Sequence, residues 1–259
     1  MNVIALLICL GLDRFTPIAN KLRCYAWVNL YCKFLDKQIN QRWQLSDWLA
    51  IAILVLPIVF VTLLVQWLLM LPLYGILGFL FNLVVLLYCL GTTKVHRYAK
   101  DDQSKPLETL FLQSQQQLFS ILFWFVIFGA VGALVYRMLL KMNRCYVDQN
   151  ATELTTRLTT VQQYLDWIPV RLVAFIFALV GDFSQTFLPW LRYSWSSPSQ
   201  NEEVLLNCGF AALAIPEGSS VETVAEYQPQ AVGLIERALL ATLVILILIV
   251  LTAWVQWQW

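Results

Sequence analysis

Apolar runs long enough to cross a bilayer alternate with polar stretches along this chain. Trp48 to Leu71 exceeds the roughly 20 residues that a helix needs to span hydrocarbon, and Asp47 and Trp48 give it an interfacial start. Pro72 follows, then the run Leu73 to Leu90. With almost no polar residue between them, the spans 48–71 and 73–90 predict a tight transmembrane hairpin. Leu118 to Tyr136, rich in Phe and Trp, predicts a third span over 118–136. Ile168 to Trp190 is weaker, because it carries Arg171, Gly181 and Asp182 with Pro189 near its end; the pattern over 168–190 predicts a half-buried or re-entrant helix. Leu234 to Trp254 is the clearest span, 234–254, with Glu236 and Arg237 at its entrance and Trp254, Trp257 and Trp259 at its exit. Met1 to Leu12 is apolar but short for a span, and lacks both a basic start and a small-residue cleavage site, so it reads as a retained segment.

The polar stretches differ in sign. Residues 13–47 hold Arg14, Lys21, Arg23, Lys33, Lys37 and Arg42 among aromatics. Trp27, Leu30, Tyr31 and Phe34 recur at helical spacing, which predicts an amphipathic helix on the bilayer or the spans, or a partner-docking helix. Residues 91–117 carry Lys94, His96, Arg97, Lys100, Asp101, Asp102 and Lys105, and end in Gln113-Ser114-Gln115-Gln116-Gln117. Residues 191–233 are acidic, with Glu202, Glu203, Glu217, Glu222 and Glu226 against Arg192, and Pro198, Pro216, Gly218 and Pro229 predict a loop. The positive-inside rule places 13–47 and 91–117 together in the cytoplasm, and the hairpin between them agrees. If 118–136 spans, Arg137, Lys141, Arg144 and Arg157 fall outside; if it is re-entrant, the charges sort correctly. Its length favours spanning, and the sequence leaves both readings open.

Composition fixes the class. Hydrophobic residues make up 59% and charged residues 13%, where a soluble domain carries about 25% charged; mean hydropathy is +0.67. The 17 basic and 16 acidic residues nearly cancel, which gives no case for nucleic acid. Cys9, Cys24, Cys32, Cys89, Cys145 and Cys208 form no CxxC pair and read as small packed hydrophobes. His96 stands alone among lysines and arginines, as a solvated residue. Gly91-Thr92-Thr93-Lys94 fails the phosphate-loop pattern at both glycines. No Ser-His-Asp set, HExxH or GxSxG occurs, so no catalytic residue, metal or cofactor is expected.

Two phrases couple apolar runs to charges that lipid does not tolerate alone. In Leu165-Asp166-Trp167-Ile168-Pro169-Val170-Arg171-Leu172, Asp166 sits where an N-cap would, with Pro169 in the first turn. Arg171 then either snorkels to the interface or faces the bundle interior, where its fork clamps a carboxylate or phosphate. In Gly129-Ala130-Val131-Gly132-Ala133-Leu134-Val135-Tyr136-Arg137, the small residues let another helix approach closely. Asp13-Arg14 is a further charged pair at a membrane edge.

The second phrase, Gly129-xx-Gly132-Ala133-xx-Tyr136-Arg137, with Pro169-Val170-Arg171-Leu172 downstream, resembles the AmpE and CbiB/CobD membrane superfamily. The AmpE branch is closer: Leu122-Phe123-Trp124-Phe125, Asp166 to Leu172 and Leu234 to Leu240 look like AmpE segments, and Asp13-Arg14-Phe15 matches its early acidic-Arg pattern. The resemblance spans nearly the whole chain. Through CbiB/CobD it implies an ATP-dependent synthase that joins an aminopropanol unit to a cobyric acid corrinoid through an amide bond, using Mg²⁺ and carboxylates. This sequence departs from that branch. Gln113 to Gln117 stands in place of acidic and Asn residues, Met138 to Arg144 in place of an Asn-Thr-Leu-Asp run, and Asp166 in place of Asn. Loss of synthase activity follows as an expectation. AmpE-like proteins are described as inner-membrane modulators linked to inducible β-lactamase signalling and to the cytoplasmic amidase that recycles muropeptides. ATP binding has been proposed for that group, and Gly91 to Lys94 is the one phosphate-loop-like stretch here.

The expectation is therefore an all-α integral membrane protein of the bacterial inner membrane, 1–259 as a single membrane domain. Its polytopic helical bundle holds about four transmembrane helices plus amphipathic or re-entrant ones. It acts as a non-catalytic sensor or modulator. Asp13, Arg14, Tyr136, Arg137, Asp166 and Arg171 form an interior polar site that faces the cytoplasm and takes an anionic small ligand or holds ion pairs. Beyond the lipid bilayer, a cytoplasmic or membrane protein is the expected partner. The alternatives are a residual corrinoid synthase and a structural subunit of a larger membrane complex.

Overall fold

The structure, a computed structural model, describes Leu6, Cys9 and residues 47–70, 76–90, 107–148, 152–215 and 227–256. Asp13, Arg14, the amphipathic stretch up to residue 46, His96 and Gly91 to Lys94 lie outside the described residues. No strand occurs among those described. By backbone proximity the chain divides into two compact units: Met1–Leu90 with Ile121–Leu165, and Gly91–Ser120 with Asp166–Trp259.

In the first unit, helix α1 (Asp47–Met70, 24 residues) carries the first apolar run. At 1.5 Å per residue it reaches about 36 Å, more than a hydrocarbon core of about 30 Å. Leu56, Phe60, Leu64 and Trp67 lie exposed along it. In water that surface would be untenable, and in a bilayer it faces lipid. Pro57 lies within the helix, and the Thr62 hydroxyl donates to the Ile58 carbonyl at 2.6 Å. Helix α2 (Ile76–Cys89) packs on α1.

A longer apolar stretch, Leu107–Tyr146, follows. It comprises α3 (Leu107–Ser114), a π turn (Gln115–Phe119) and α4 (Ser120–Asp148). The run read as a third span is thus the middle of a larger helical segment. Gly129 breaks it, with φ 66° and ψ −148° inside α4, a region that essentially only glycine occupies. The chain folds back there. A Cβ on Gly132 would run into the Trp124 carbonyl oxygen, two turns earlier, where a straight helix would separate the residues by about 12 Å. These glycines, read in the sequence as a stripe for a neighbouring helix, serve a break in their own helix. Past the break, Met138, Leu139, Met142 and Tyr146 of α4 form a core with Leu158 of helix α5 (Thr152–Val180), backed by Val55, Ile58 and Tyr88. Asn143 ties α4 to α5: its amide N–H donates to the Gln162 oxygen at 3.0 Å, and its oxygen accepts from Thr159 at 3.3 Å.

In the second unit, the C-terminal part of α5 runs antiparallel to α6 (Phe183–Tyr193). Phe175 meets Trp190 at 5.0 Å, and the Trp190 indole donates to the Arg171 carbonyl at 3.0 Å. Asp182 caps α6, accepting from the Gln185 N–H. A 3-10 turn (Pro198–Gln200) leads into α7 (Asn201–Ala212), so part of the stretch 191–233 expected as loop is helical. Phe111 of α3 packs on Phe177 at 5.6 Å and on Phe210 at 6.2 Å. That approach needs Gly209, where a Cβ would meet the Phe111 ring at 3.1 Å. Helix α8 (Gln228–Gln256) contacts α3 and leaves Leu240, Val244, Leu248 and Ile249 exposed.

The molecule is an all-α membrane bundle. By length and composition three helical stretches among the described residues suffice to cross a membrane, Leu107–Tyr146 (interrupted by the Gly129 break), Leu154–Val180 and Gln228–Ile249; within α1 and α2 the apolar helices Val55–Leu68 and Leu77–Cys89 are shorter. Asp166 and Pro169 lie inside α5 and do not open a helix. Residues 152–165 are polar but helix-compatible, so α5 begins well upstream of the capping signal. Gly129→Ala should lower stability by about 1–3 kcal/mol, read as a lower unfolding midpoint in detergent; an unchanged midpoint would show that the break tolerates a side chain.

Candidate functional site

Of the six residues singled out in the sequence, Tyr136 and Arg137 belong to the first unit and Asp166 and Arg171 to the second. All four are buried, Arg137 to within 2% of complete enclosure.

Arg171 shows how a guanidinium is accommodated inside a helical bundle. An arginine has five N–H donors in a planar fork. Here Nε donates to the Ser194 carbonyl at 2.8 Å. Nη1 donates to the Trp167 carbonyl at 2.8 Å and to Asn201 Oδ1 at 2.6 Å. Nη2 donates to the Ser196 carbonyl at 2.9 Å and to its hydroxyl at 3.0 Å. The guanidinium also lies over the Trp167 ring, 4.6 Å from its centroid. All five donors are engaged by the protein, and none goes to Asp166.

The reason lies in the backbone it meets. Helix α6 ends at Tyr193, and the chain turns through Ser194 to Ser197 before the 3-10 turn. A helix end leaves carbonyls without partners, and those that are buried need donors from the protein. Arg171 takes those of Ser194 and Ser196, and the Trp167 indole also donates to the Ser196 carbonyl at 3.0 Å. The carbonyls on both sides of Trp195 are therefore held from α5, while Trp195 itself is 86% exposed.

Asp166 belongs to a second polar chain. Gln115 Nε2 donates to Ser120 Oγ at 3.0 Å, and Ser120 Oγ donates to Asp166 Oδ1 at 2.6 Å. The hydroxyl has one proton, which the carboxylate takes, so Gln115 must present its NH₂ group. Its oxygen, like that of Gln117, is buried with no hydrogen-bond partner. The π turn makes this chain possible. In an α-helix, side chains five apart diverge by roughly 140°. The wider turn, closed by the Ser120 N–H on the Gln115 carbonyl, aligns them. Gln115 thus reaches Asp166 through Ser120.

Gln115, Ser120, Asn201, Ser194 and Ser196 were not anticipated. Ser120 interrupts an apolar run, which was a usable signal, and Gln115 lies in a conspicuous glutamine run. The Ser194 and Ser196 acceptors are backbone carbonyls and carry no signature. No cluster of three or more His, Cys, Asp or Glu side chains occurs among the described residues. Cys208 of α7 is buried, which pushes its thiol up to about 12. At pH 8 it is protonated and unreactive.

The comparisons follow this geometry. Residues 101–255, more than half of the chain, match the family model described as "Regulatory signalling modulator protein AmpE". A "Cobalamin biosynthesis protein CobD" of Stutzerimonas stutzeri is 26% identical over 117 residues, 44% of this chain and 38% of that protein. One of Chromobacterium violaceum is 25% identical over 116 residues, 43% of this chain and 36% of that protein. The matched stretch spans little more than a third of each relative's length. No solved structure matches the chain.

Two outcomes follow. Arg171→Leu removes the donors from the Ser194 carbonyl and from Asn201 Oδ1, an unsatisfied buried acceptor costing about 1–3 kcal/mol; we expect a lower unfolding midpoint and protease cleavage between Ser194 and Gln200, with Arg171→Lys intermediate. Wild-type behaviour in Arg171→Leu would contradict the clamp. Cys208 should resist maleimide at pH 8 in the folded protein and react after denaturation, as peptide mass spectrometry can map; an adduct on folded protein would contradict its burial.

Proposed function

This chain belongs to the AmpE family, and from that premise we propose that it is a multi-pass protein of the bacterial cytoplasmic membrane that modulates a signal and catalyses no reaction of its own. The family description carries the signalling part. The observation that carries the non-catalytic part is Arg171: its five donors are engaged by protein oxygens. An anionic ligand would have to displace Ser194, Ser196 and Asn201. Of the two roles open to the buried charges, a structural one is what this supports for Arg171, through hydrogen bonds to neutral oxygens rather than an ion pair. Ligand contact by Tyr136, Arg137 and Asp166, with Asp13 and Arg14, remains a proposal of the same reading. The fold-back at Gly129 supports the re-entrant course for 118–136. That course returns Arg137, Lys141 and Arg144 to the cytoplasmic side, in agreement with the positive-inside rule.

The signal we propose is that of inducible β-lactamase, through cell-wall fragments and a cytoplasmic or membrane protein partner. A second reading, the corrinoid amide synthase, is favoured by the two CobD relatives. Against it stand Gln113 to Gln117, where that branch carries acidic and Asn residues; neutral amides bind Mg²⁺-triphosphate poorly. Removal of the chain from its host should alter β-lactamase induction by muropeptides, with recovery on re-expression. Unchanged induction, or phosphate release by purified protein given ATP, Mg²⁺, aminopropanol phosphate and a cobyric acid, would contradict the reading.

A further inference from the structure

The first unit contains a cavity of about 640 Å³ that none of the polar contacts above uses. It exists because of the break at Gly129. The chain folds back so that Trp124 and Phe128, before the break, and Val131, Val135 and Tyr136, after it, line the same space. Trp124 and Phe128 stack with centroids 5.7 Å apart at 13°, forming a flat aromatic wall. Gly132 lies against the Trp124 carbonyl, so no side chain fills the volume from that position. Helix α1 closes the opposite side with one face, Leu63, Gln66 and Trp67.

Three properties define an occupant. The lining is almost wholly apolar, and apolar cavities hold water poorly. The volume would otherwise take roughly twenty waters at ~30 Å³ each, with few polar partners for them. The rim is lipid-facing: Leu63 is 51%, Trp67 67% and Phe128 61% exposed. The cavity is thus continuous with the hydrocarbon-facing surface of the bundle, and a molecule reaching it comes from the bilayer. Finally, Gln66 adds an amide to the lining, whereas the Trp124 indole N–H is enclosed, out of reach of an occupant. A pure hydrocarbon leaves the Gln66 amide unmatched. A chain that ends in an ester or phosphate oxygen does not.

We propose that this cavity is a binding site for the hydrocarbon chain of one membrane amphiphile, whose hydrogen-bond acceptor meets the Gln66 amide. The site goes beyond the signalling reading and does not depend on it. It takes a long apolar chain with an acceptor head, a class distinct from the small anion expected at the charged residues. The glycine break makes the space, α1 closes it, and the stacked Trp124–Phe128 pair gives it one rigid wall.

The test is native mass spectrometry on protein reconstituted in vesicles of phosphatidylethanolamine and phosphatidylglycerol, then re-extracted and washed in a bulky detergent. The wild-type chain should retain one lipid mass per chain. Val131→Trp, which fills the cavity from α4, should lose that adduct while its unfolding midpoint stays at or above wild type, since cavity filling at a compatible site stabilises. Leu63→Trp fills the space from α1 and serves if Val131→Trp does not fold. Gln66→Leu should keep the fold and release the lipid at lower detergent concentration. A wild-type chain that carries no retained lipid, a graded series of nonspecific adducts, or equal retention by the folded filling variants would overturn the proposal.

Discussion

A buried backbone carbonyl must find its donor within the protein, and this structure is arranged around that need. Helices meet the requirement along their length, so the difficulty concentrates where helices stop. The turn from Ser194 to Ser197 is such a place, between α6 and the 3-10 turn that leads into α7. Arg171 reaches across from α5 and supplies donors to both flanking carbonyls, and the Trp167 indole adds another. A guanidinium suits this work because its donors are fixed in a plane and it keeps its charge when buried. A lysine has fewer donors on a flexible stem. The residue that looks most like a ligand-binding group is thereby the one that holds α5, α6 and α7 in register.

The same constraint explains the second polar chain. Asp166 is buried mid-helix and needs a donor. Ser120 supplies it, and a π turn brings Gln115 behind the serine. Such a turn sacrifices regular helical geometry, which persists only where the arrangement it makes compensates. The CobD proteins match this chain at low identity over part of their length, and fold alone does not fix function.

The membrane class was legible because apolar run length and charge depletion report it directly. The AmpE family was legible from ordered phrases around Tyr136-Arg137 and Pro169-Val170-Arg171-Leu172. Local geometry was not. Gly129 reads as one small residue among several, and only its positive φ reveals a break. Asp166 followed by Pro169 imitates a helix start; Thr152 to Leu165 is polar enough to pass for loop, yet it is helical. Gln115 and Ser120 are five apart, a spacing that means nothing until the turn widens. The partners of Arg171 are largely backbone oxygens, which any residue type provides. What the sequence hides is therefore which atoms face each other once helices end.

A double-mutant cycle between Arg171→Lys and Asn201→Ala, read by unfolding in one detergent, probes this directly. The two side chains meet at 2.6 Å, and the account predicts a coupling of about 1–3 kcal/mol, the scale of directly bonded partners. Additive effects, with coupling within about 0.3 kcal/mol of zero, would show that the guanidinium is not committed to the fold and would return it to the role of a ligand-binding group.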